Sequence, residues 1–436
     1  MRVLVAAAHG GVSPGAVPIG GGAAVVGRLT DWWAERGLPV TLLGLGDAQP
    51  RSGLDYQRIA VRWPRGRGPA NLVDLNELQY ARVCRDFEQH ATDAILARPD
   101  LRDLVVVAND LSEGPDFARL AAAGVPVVTL WHVDVVDYFC RFYLGGLDPA
   151  LASAAWRRLG AATALVPDML HLVFAKQAAA LAHSARHIVP SSAMRRIIGR
   201  CTPGAEQRVE VVPWGAWSHP AEPDEVARAA DDLRREGGLA EGDTLLVTLS
   251  RLSPEKGIER ALQALALGEQ RGELPDGVHL WIGGQAAYMM GQRYRRRLER
   301  LAASLRQVRV RFLGHVSGAR KQALWRLADL YLFPSRHESY GLTLAEALSA
   351  GVPVVSTDHY SARDLVPREA GVIVPNAPSS AVPAALWRAL SPLLSDAAGR
   401  KRMARAARAA AYRLDFDRAA ARVTDLLASV HRTAGA

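Results

Sequence analysis

Short runs of apolar residues alternate with longer amphipathic stretches along most of the chain. In the first half, the runs begin at Arg2, Pro39, Leu104, Val125, Arg186 and Arg208. Apolar runs of strand length that are separated by helical stretches are typical of strands buried on both faces of a parallel sheet. The pattern therefore predicts a doubly wound α/β domain.

The same alternation begins again after a stretch with Pro and Glu at residues 218–224. The second set of runs begins at Thr244, Val278, Val308, Leu330, Val352 and Ala370. Two parallel-sheet domains of similar size, joined near residue 218, are the simplest arrangement that fits this pattern. Because ligands of such sheets bind beyond the carboxyl ends of the strands, functional residues are expected in the loops that follow strands.

The basic residues are almost all arginines. The formal net charge is +9 over 436 residues, but lysine occurs only at positions 176, 256, 321 and 401. This usage, together with abundant alanine, indicates a GC-rich coding bias, which weakens any inference from charge about partners. The sequence has no basic stripe with interleaved aromatic residues, so no nucleic-acid partner is predicted. Because lysine is rare in this chain, each lysine is a stronger indication of a functional position.

Cysteine usage and the start of the chain bear on the compartment. Cys84, Cys140 and Cys201 are far apart and form no C-x-x-C pair, so neither a disulfide framework nor a zinc knuckle is predicted. The start lacks a basic region followed by a long apolar stretch, and no run approaches the roughly 18 apolar residues of a membrane span. We expect a cytoplasmic protein, and attachment to the inner face of the membrane stays open.

Two cations lie in the loop after the first strand of the second half. The segment "LSRLSPEKGIERALQAL" leads from this strand into an amphipathic helix and places Arg251 and Lys256 in the connection. Such a loop can hold a diphosphate without a metal ion, since both side chains donate hydrogen bonds to phosphate oxygens. A surface loop that caps a helix is the alternative interpretation.

The first half also has candidate ligand-binding residues, glycines and a histidine, in loops that follow predicted strands. The segment "PIGGGAAVVGRL" from Pro18 puts three glycines at a helix start, where an anionic group can approach the backbone closely, although a plain flexible turn fits as well. His132 follows the fourth apolar run, where it could hydrogen-bond a substrate hydroxyl or carry a proton. A structural histidine is the alternative there.

Two glutamates flank a third predicted helix start. The segment "PSRHESYGLTLAEALSAGVPVV" from Pro334 places Glu338 before the helix and Glu346 inside it. A helix start attracts anions, so acids belong there as caps or as parts of a site. Asp415 and Asp417 have a spacing that can hold a metal ion, but they lie in the helical tail, so no metal site is predicted.

Together these segments resemble the donor-site motifs of the retaining, nucleotide-sugar-dependent glycosyltransferase family 4. Glu338 and Glu346 match the family's E-x7-E motif, and Arg251 and Lys256 match its basic motif. The flanking residues of the E-x7-E motif also fit, at Pro334, Ser335, Gly341, Ala347, Gly351, Pro353 and Val354. The similarity extends more loosely to the glycine-rich helix start and to His132, and so covers most of the chain.

The resemblance implies the α/β fold named GT-B. That fold has two Rossmann-like doubly wound parallel-sheet domains that face each other across a cleft, with a C-terminal helix that crosses back to the first domain. The predicted boundaries are 1–217 for the N-terminal, acceptor-side domain, 218–412 for the donor-side domain and 413–436 for the helix.

The resemblance also implies a role for each motif residue. Arg251 and Lys256 would hold the diphosphate, Glu338 would contact the donor sugar and Glu346 would bind the ribose. Backbone amides would meet the sugar and phosphates at Ser339, Tyr340, Gly341, Leu342 and Thr343.

Other positions would complete the donor site. Gly21 and Gly22 would approach the diphosphate, and His132 would contact the sugar near the reacting carbon. His315 and Val316 would recognise the base through main-chain groups. Three glycines stand where the family more often has two, and the surroundings of His132 match no subfamily, which leaves the acceptor unassigned.

The implied activity is a retaining hexosyl transfer, by a front-face mechanism, from a UDP- or GDP-sugar to an acceptor hydroxyl. No cofactor or metal is implied, because the nucleotide sugar is a co-substrate. The acceptor is expected to be a small molecule or glycan, free or lipid-linked, and the protein a monomer or homodimer. A GT-B disaccharide phosphorylase or synthase, a sugar-nucleotide epimerase and an inactive GT-B scaffold are the alternatives.

Overall fold

The structure is a computed structural model that describes residues 1–12, 20–48, 54–160, 167–217, 221–286 and 291–434. It divides into two compact units, Met1–Pro213 with Asp417–Ala436, and Trp214–Phe416. Residue 218, where the second domain was predicted to begin, lies outside the described residues, as does Pro18 at the start of the glycine-rich segment.

The first unit is built on a seven-stranded parallel sheet of order β3-β2-β1-β4-β5-β6-β7. Its strands are β1 (Arg2–Ala6), β2 (Val40–Gly44), β3 (Asp55–Arg58), β4 (Leu104–Asn109), β5 (Val127–Leu130), β6 (Arg186–Val189) and β7 (Val209–Val211). Its helices are α1 (Gly21–Glu35), α2 (Glu77–Leu96), α3 (Phe117–Ala122), α4 (Val135–Phe142), α5 (Pro149–Leu159), α6 (Asp168–Leu170), α7 (Lys176–His183) and α8 (Ser192–Cys201).

The second unit is built on a six-stranded parallel sheet of order β10-β9-β8-β11-β12-β13. Its strands are β8 (Thr244–Leu249), β9 (Val278–Gly283), β10 (Arg309–Gly314), β11 (Leu330–Phe333), β12 (Val354–Thr357) and β13 (Gly371–Val374). Its helices are α9 (Pro223–Gly237), α10 (Ile258–Gln270), α11 (Gly291–Ala303), α12 (Gly318–Leu327), α13 (Leu342–Ser349), α14 (Ala362–Leu365), α15 (Val382–Ser395) and α16 (Ala397–Ala410).

The central strands of both sheets are buried, as their apolar runs predict. All six residues of β4, β8 and β9 are buried, and β1 pairs with β4 in parallel register from Arg2 opposite Leu104. β3 has no apolar run because it is the polar edge strand of its sheet, with the sequence Asp-Tyr-Gln-Arg and largely exposed side chains. A search for apolar runs therefore missed it.

The last helix, α17 (Phe416–Ala434), packs on α1, as the predicted return to the first domain requires. Trp33 Nε1 donates a hydrogen bond to Thr424 Oγ1 over 2.8 Å, and Arg36 Nη2 lies 3.2 Å from Asp417 Oδ2. In the described part of the chain, no helix is long and apolar enough to cross a bilayer.

Candidate active site

The two predicted phosphate-binding cations lie at the carboxyl edge of the six-stranded sheet. Arg251 follows β8, and Lys256 ends a short 3₁₀ turn, Pro254–Lys256, just before α10. β8 and β11 are neighbours in the sheet, so the loop after β8 meets the loop after β11, where Glu338 lies. The fold thus brings both sequence motifs to one edge.

A glycine lets these two loops approach each other closely. Gly257 has φ +59°, and a methyl group added there would lie 2.3 Å from the carbonyl oxygen of Pro334. The backbone N–H of Arg336 donates to the carbonyl oxygen of Glu255 over 2.8 Å. A side chain at position 257 would separate the loops and move Lys256 away from Glu338.

Lys256 and Glu338 form an ion pair. Lys256 Nζ donates to Glu338 Oε2 over 2.5 Å, and the two side chains are 12% and 18% exposed. Burial would raise the pKa of the Glu338 carboxyl, but the charge and hydrogen bond of Lys256 outweigh it, and the pKa lies below its ordinary value. Glu338 is therefore ionised at neutral pH and accepts hydrogen bonds.

Arg251 lies in the same loop as Lys256. Its Nη2 is 4.0 Å from Glu255 Oε1, and its side chain is 26% exposed. The loop therefore presents two cations beside one motif carboxylate.

Glu346 also pairs with a lysine. Lys321 Nζ, in the first turn of α12, donates to Glu346 Oε1 over 2.9 Å. Glu346 Oε2 is buried and has no hydrogen-bond partner within the described residues. Lys321 was not among the predicted site residues, although its rarity as one of four lysines was a signal for it.

The start of α13 is held in place by side chains that are already engaged. Gly341 precedes the helix at φ +90°, and the Tyr340 hydroxyl accepts a hydrogen bond from the Gly215 N–H over 2.7 Å. The Tyr331 hydroxyl hydrogen-bonds to Thr343 Oγ1 over 2.7 Å. The side chains of Tyr340 and Thr343 are thus already hydrogen-bonded within the protein. A ligand would therefore meet backbone N–H groups at these positions and at Ser339 and Leu342.

His315 and Val316 follow β10 at the same carboxyl edge of the sheet. Val316 is 6% exposed, and His315 is exposed. β10 is separated from β8 by β9, so these two residues lie to one side of the paired loops. The sheet order therefore places the predicted base-recognition residues beside the predicted diphosphate site.

In the first unit, Gly22 and His132 lie against each other. Gly21 and Gly22 open α1, and His132 follows β5. A methyl group added at Gly22 would lie 2.7 Å from the His132 ring. Position 22 is thus restricted to glycine by the neighbouring imidazole, a reason that the sequence did not suggest.

His132 is an uncharged hydrogen-bonding group in this structure. Its Nε2 donates to Asn109 Oδ1 over 2.7 Å. Burial, and secondly the charge of His9, lower its pKa to about 3. Of the two predicted uses, this favours a hydrogen bond to substrate over proton transfer at neutral pH.

A polar cluster that the sequence analysis missed surrounds the end of β4. Asp110 directly follows this strand at φ +73°, and burial together with Glu113 raises its pKa to about 7. Glu113 accepts from the Tyr80 hydroxyl over 2.7 Å and lies 3.4 Å from His9 Nε2. The reasoning that selected His132, a polar residue just past a buried strand, applies equally to Asp110.

Two glycosyl transferase families match the chain. The family described as glycosyl transferase 4-like domain matches residues 20–215, and the family described as glycosyl transferases group 1 matches residues 229–410. The matched regions correspond to the first and second units, and the second contains every motif residue that lies after β8.

Curated relatives match over about half of their length. A D-inositol 3-phosphate glycosyltransferase from Xylanimonas cellulosilytica is 36% identical over 229 residues, which cover 51% of this chain and 51% of that protein. A phosphatidyl-myo-inositol mannosyltransferase from Mycobacterium tuberculosis strain H37Rv is 35% identical over 202 residues, which cover 46% of this chain and 50% of that protein. The chain thus spans about half the length of the curated relatives it matches.

Solved structures match over the whole chain. Sucrose-phosphate synthase from Thermosynechococcus elongatus superimposes with a TM-score of 0.73 at 17% sequence identity, covering 99% of this chain and all of that one. At this identity the likeness concerns the fold alone. The chain has the GT-B fold, with a glycosyl transferase family match over most of each unit.

Proposed function

We propose that the protein is a retaining glycosyltransferase that moves a sugar from a nucleoside-diphosphate sugar to an acceptor hydroxyl without a metal ion. The observation that carries this proposal is the Lys256–Glu338 pair, with Arg251 in the same loop, beside the backbone N–H groups that open α13. This set combines cations for a diphosphate with a carboxylate for sugar hydroxyls.

Lys256 and Arg251 would stabilise the leaving group. When the bond between the anomeric carbon and the diphosphate oxygen breaks, its electron pair passes to the diphosphate, whose negative charge rises. Cations and N–H groups already in position then stabilise the transition state more than the ground state. In this role they take the place of a divalent metal ion.

The two motif glutamates would bind hydroxyl groups. Glu338 is ionised and held by Lys256, so it accepts from a hydroxyl of the donor sugar without acting as an acid. Glu346 would accept from the ribose through Oε2, since Oε1 already receives a hydrogen bond from Lys321. Each carboxylate thus faces a neutral polyol, while the cations face the diphosphate.

Retention would follow from attack on the face that the diphosphate leaves. The acceptor oxygen bonds to the anomeric carbon, and its proton passes to the departing phosphate oxygen. No carboxylate forms a bond to the sugar, unlike in retaining glycosidases, where two carboxyl groups flank the scissile bond. Glu338 suits this scheme because its pairing with Lys256 makes it a weak nucleophile.

In the first unit, the uncharged His132, whose Nε2–H is donated to Asn109, would accept a hydrogen bond from a hydroxyl of the donor sugar. Gly21 and Gly22 would place the start of α1 near the diphosphate. His315 and Val316 would contact the base through their backbones. The donor would carry uracil or guanine.

The names of the two curated relatives guide the choice of acceptor. One name specifies D-inositol 3-phosphate and the other phosphatidyl-myo-inositol. We propose an acceptor with a polyol hydroxyl, free or lipid-linked, in the cytoplasm or at its membrane face.

The test is transfer by the purified protein in the presence of EDTA. UDP-glucose or GDP-mannose is supplied with myo-inositol, D-inositol 3-phosphate or phosphatidylinositol vesicles, and release of nucleoside diphosphate is followed. We expect release that depends on an acceptor, and NMR showing the donor's anomeric configuration in the product.

Other outcomes would contradict the proposal and identify an alternative. Cleavage of a disaccharide by inorganic phosphate would indicate a phosphorylase, and conversion of the donor without acceptor an epimerase. Tight nucleotide binding without turnover on any acceptor would indicate an inactive scaffold. Inverted anomeric configuration in the product would reject the retaining mechanism. Loss of activity in EDTA would reject metal independence.

A further inference from the structure

A groove of about 590 Å³ lies between α12, α13 and α16 of the second unit. We call it the helix groove. One end contains Lys321 and Glu346, which belong to the proposed donor site. The groove is also lined by Arg326 and Ser349, near the ends of α12 and α13, and by Arg400, Lys401 and Arg408 of α16, and we call this part its second end.

The second end lies at the opposite edge of the sheet from the donor motifs. Arg400 Nη2 is 3.5 Å from Thr244 Oγ1, in the first residue of β8, whereas Arg251 and Lys256 follow the last residue of that strand. A six-residue strand is roughly 17 Å long. A small ligand bound at this end would therefore not touch the proposed diphosphate cations.

This end carries an excess of positive charge. Five cationic side chains and two carboxylates line the groove as a whole. Arg326, Lys401 and Arg408 are exposed, and among the described residues their side chains have no hydrogen-bond or ion-pair partner. Asp329 is engaged by the Leu245 N–H and lies 3.8 Å from Arg400 Nε. The three exposed cations are thus available to an anion.

Two buried polar atoms belong to residues that line the groove. Trp325 lines the groove at 6% exposure, and its Nε1 meets no acceptor in the described part of the chain. The Ser349 hydroxyl is likewise buried and unpaired among the described residues. A buried polar group without a partner destabilises the fold, so each is a position where a hydroxyl-bearing ligand gains a hydrogen bond.

We propose that this end of the helix groove is a second small-molecule site, which binds an organic phosphate bearing several hydroxyl groups. The phosphate is held by Lys401 and Arg408, with Arg326 across the groove, and a ligand hydroxyl accepts from Trp325 Nε1 and bonds to Ser349 Oγ. The site does not rest on the proposed transferase activity, since none of these residues belongs to the donor motifs.

The test is calorimetric titration of the full chain with sorbitol 6-phosphate, a polyol phosphate without a base or a sugar ring. Sorbitol and inorganic phosphate are titrated separately. We expect saturable binding of sorbitol 6-phosphate at ~1 mM or below, and at least about tenfold weaker binding of either part alone.

Variants locate the binding. The double variant Lys401→Glu with Arg408→Glu, and separately Arg326→Glu, should weaken binding at least about tenfold, because a phosphate would then face carboxylates. Arg405→Glu is the matched control on α16: it makes the same charge change at an exposed residue that does not line the groove. Ser349→Leu should also weaken binding, and thermal melts confirm that each variant is folded.

Several results would overturn the proposal. These are no saturable binding by ~10 mM, equal binding by folded charge-reversal variants, and equally tight binding of inorganic phosphate, which would mean an adventitious ion only. Loss of sorbitol 6-phosphate binding in Lys256→Ala would show that the ligand binds at the donor motifs and not in the helix groove. Retained binding in Lys256→Ala, with or without sugar transfer by the wild type, supports the helix groove.

Discussion

At the scale of single residues, each glutamate of the predicted E-x7-E motif lies against a lysine. Glu338 pairs with Lys256, and Glu346 pairs with Lys321. Both pairs lie near the carboxyl ends of the strands. The pairs hold the carboxylates in place, so less side-chain freedom is lost when a ligand binds there. Removal of the two pairs should nevertheless have different effects, one on kcat and the other on nucleotide affinity.

Lys256→Ala should lower kcat on the order of 10²-fold, by analogy with removal of a single preorganised oxyanion donor. Glu338 then loses its buried partner, so the thermal midpoint is measured in parallel. The double variant Lys256→Ala with Glu338→Gln, which removes the unpaired charge, should recover stability without recovering kcat. Unchanged turnover in a folded Lys256→Ala protein would reject the leaving-group role, and Arg405→Ala is the control.

Glu346→Gln should weaken nucleoside diphosphate binding by about tenfold and leave kcat nearly unchanged, because a ribose contact is similar in the ground and transition states. Calorimetric titration with UDP and GDP measures the first effect and steady-state kinetics the second. Glu299→Gln, an exposed carboxylate paired with Arg295 on α11, is the control. Wild-type nucleotide affinity in Glu346→Gln would contradict the ribose assignment.

The sequence could locate the motif residues but not their partners. Glu338, Glu346, Arg251 and Lys256 are recognisable because the motifs have fixed local spacing. Lys321 reaches Glu346 only through the packing of α12 beside α13, and no local spacing encodes that contact.

At the scale of elements, the sheets follow from apolar runs wherever the strands are buried on both faces. β3 shows the limit, since an edge strand made of polar residues has no such run. The start of α1 shows another limit. Three consecutive glycines suggest close approach of a phosphate, whereas the structure shows an imidazole ring already packed at Gly22.

Gly22→Ala should destabilise the protein by about 1–3 kcal/mol, because its methyl group would overlap the His132 ring. Gly27→Ala is the matched control in the same helix, where an added methyl group meets nothing within 4 Å and should stabilise by about 0.5–1 kcal/mol. Thermal melts compare the two.

A second variant tests the cause of the Gly22 effect. His132→Ala should make Gly22→Ala much less harmful, which a double-mutant cycle measures. An equal cost of Gly22→Ala with and without the imidazole would contradict the packing explanation.

At the scale of the whole molecule, stability should depend on the protonation of Asp110. Its pKa is about 7 in the fold and about 4 in an unfolded chain. Between these values the folded state holds a proton that the unfolded state lacks, so its contribution to stability is present at low pH and is lost as pH rises through 7.

Asp110→Asn should remove this dependence. The fall in unfolding free energy between pH 5 and pH 8 should be smaller in the variant than in the wild type by roughly 2–3 kcal/mol. Urea unfolding at both pH values measures it, and Asp103→Asn, at an exposed position just before β4, is the control. An identical pH profile in Asp110→Asn and the wild type would show that Asp110 does not titrate in this range.

The scarcity of lysine has a practical consequence for the folded chain. Lys176 is buried beside Glu88, and Lys256 and Lys321 are engaged by the motif glutamates, which leaves Lys401 as the exposed lysine. An amine-reactive dye at neutral pH therefore attaches mainly at Lys401 and at the N-terminal amine. Lys401 lies in the helix groove, so the fluorescence of a single dye attached there would report on changes at that surface.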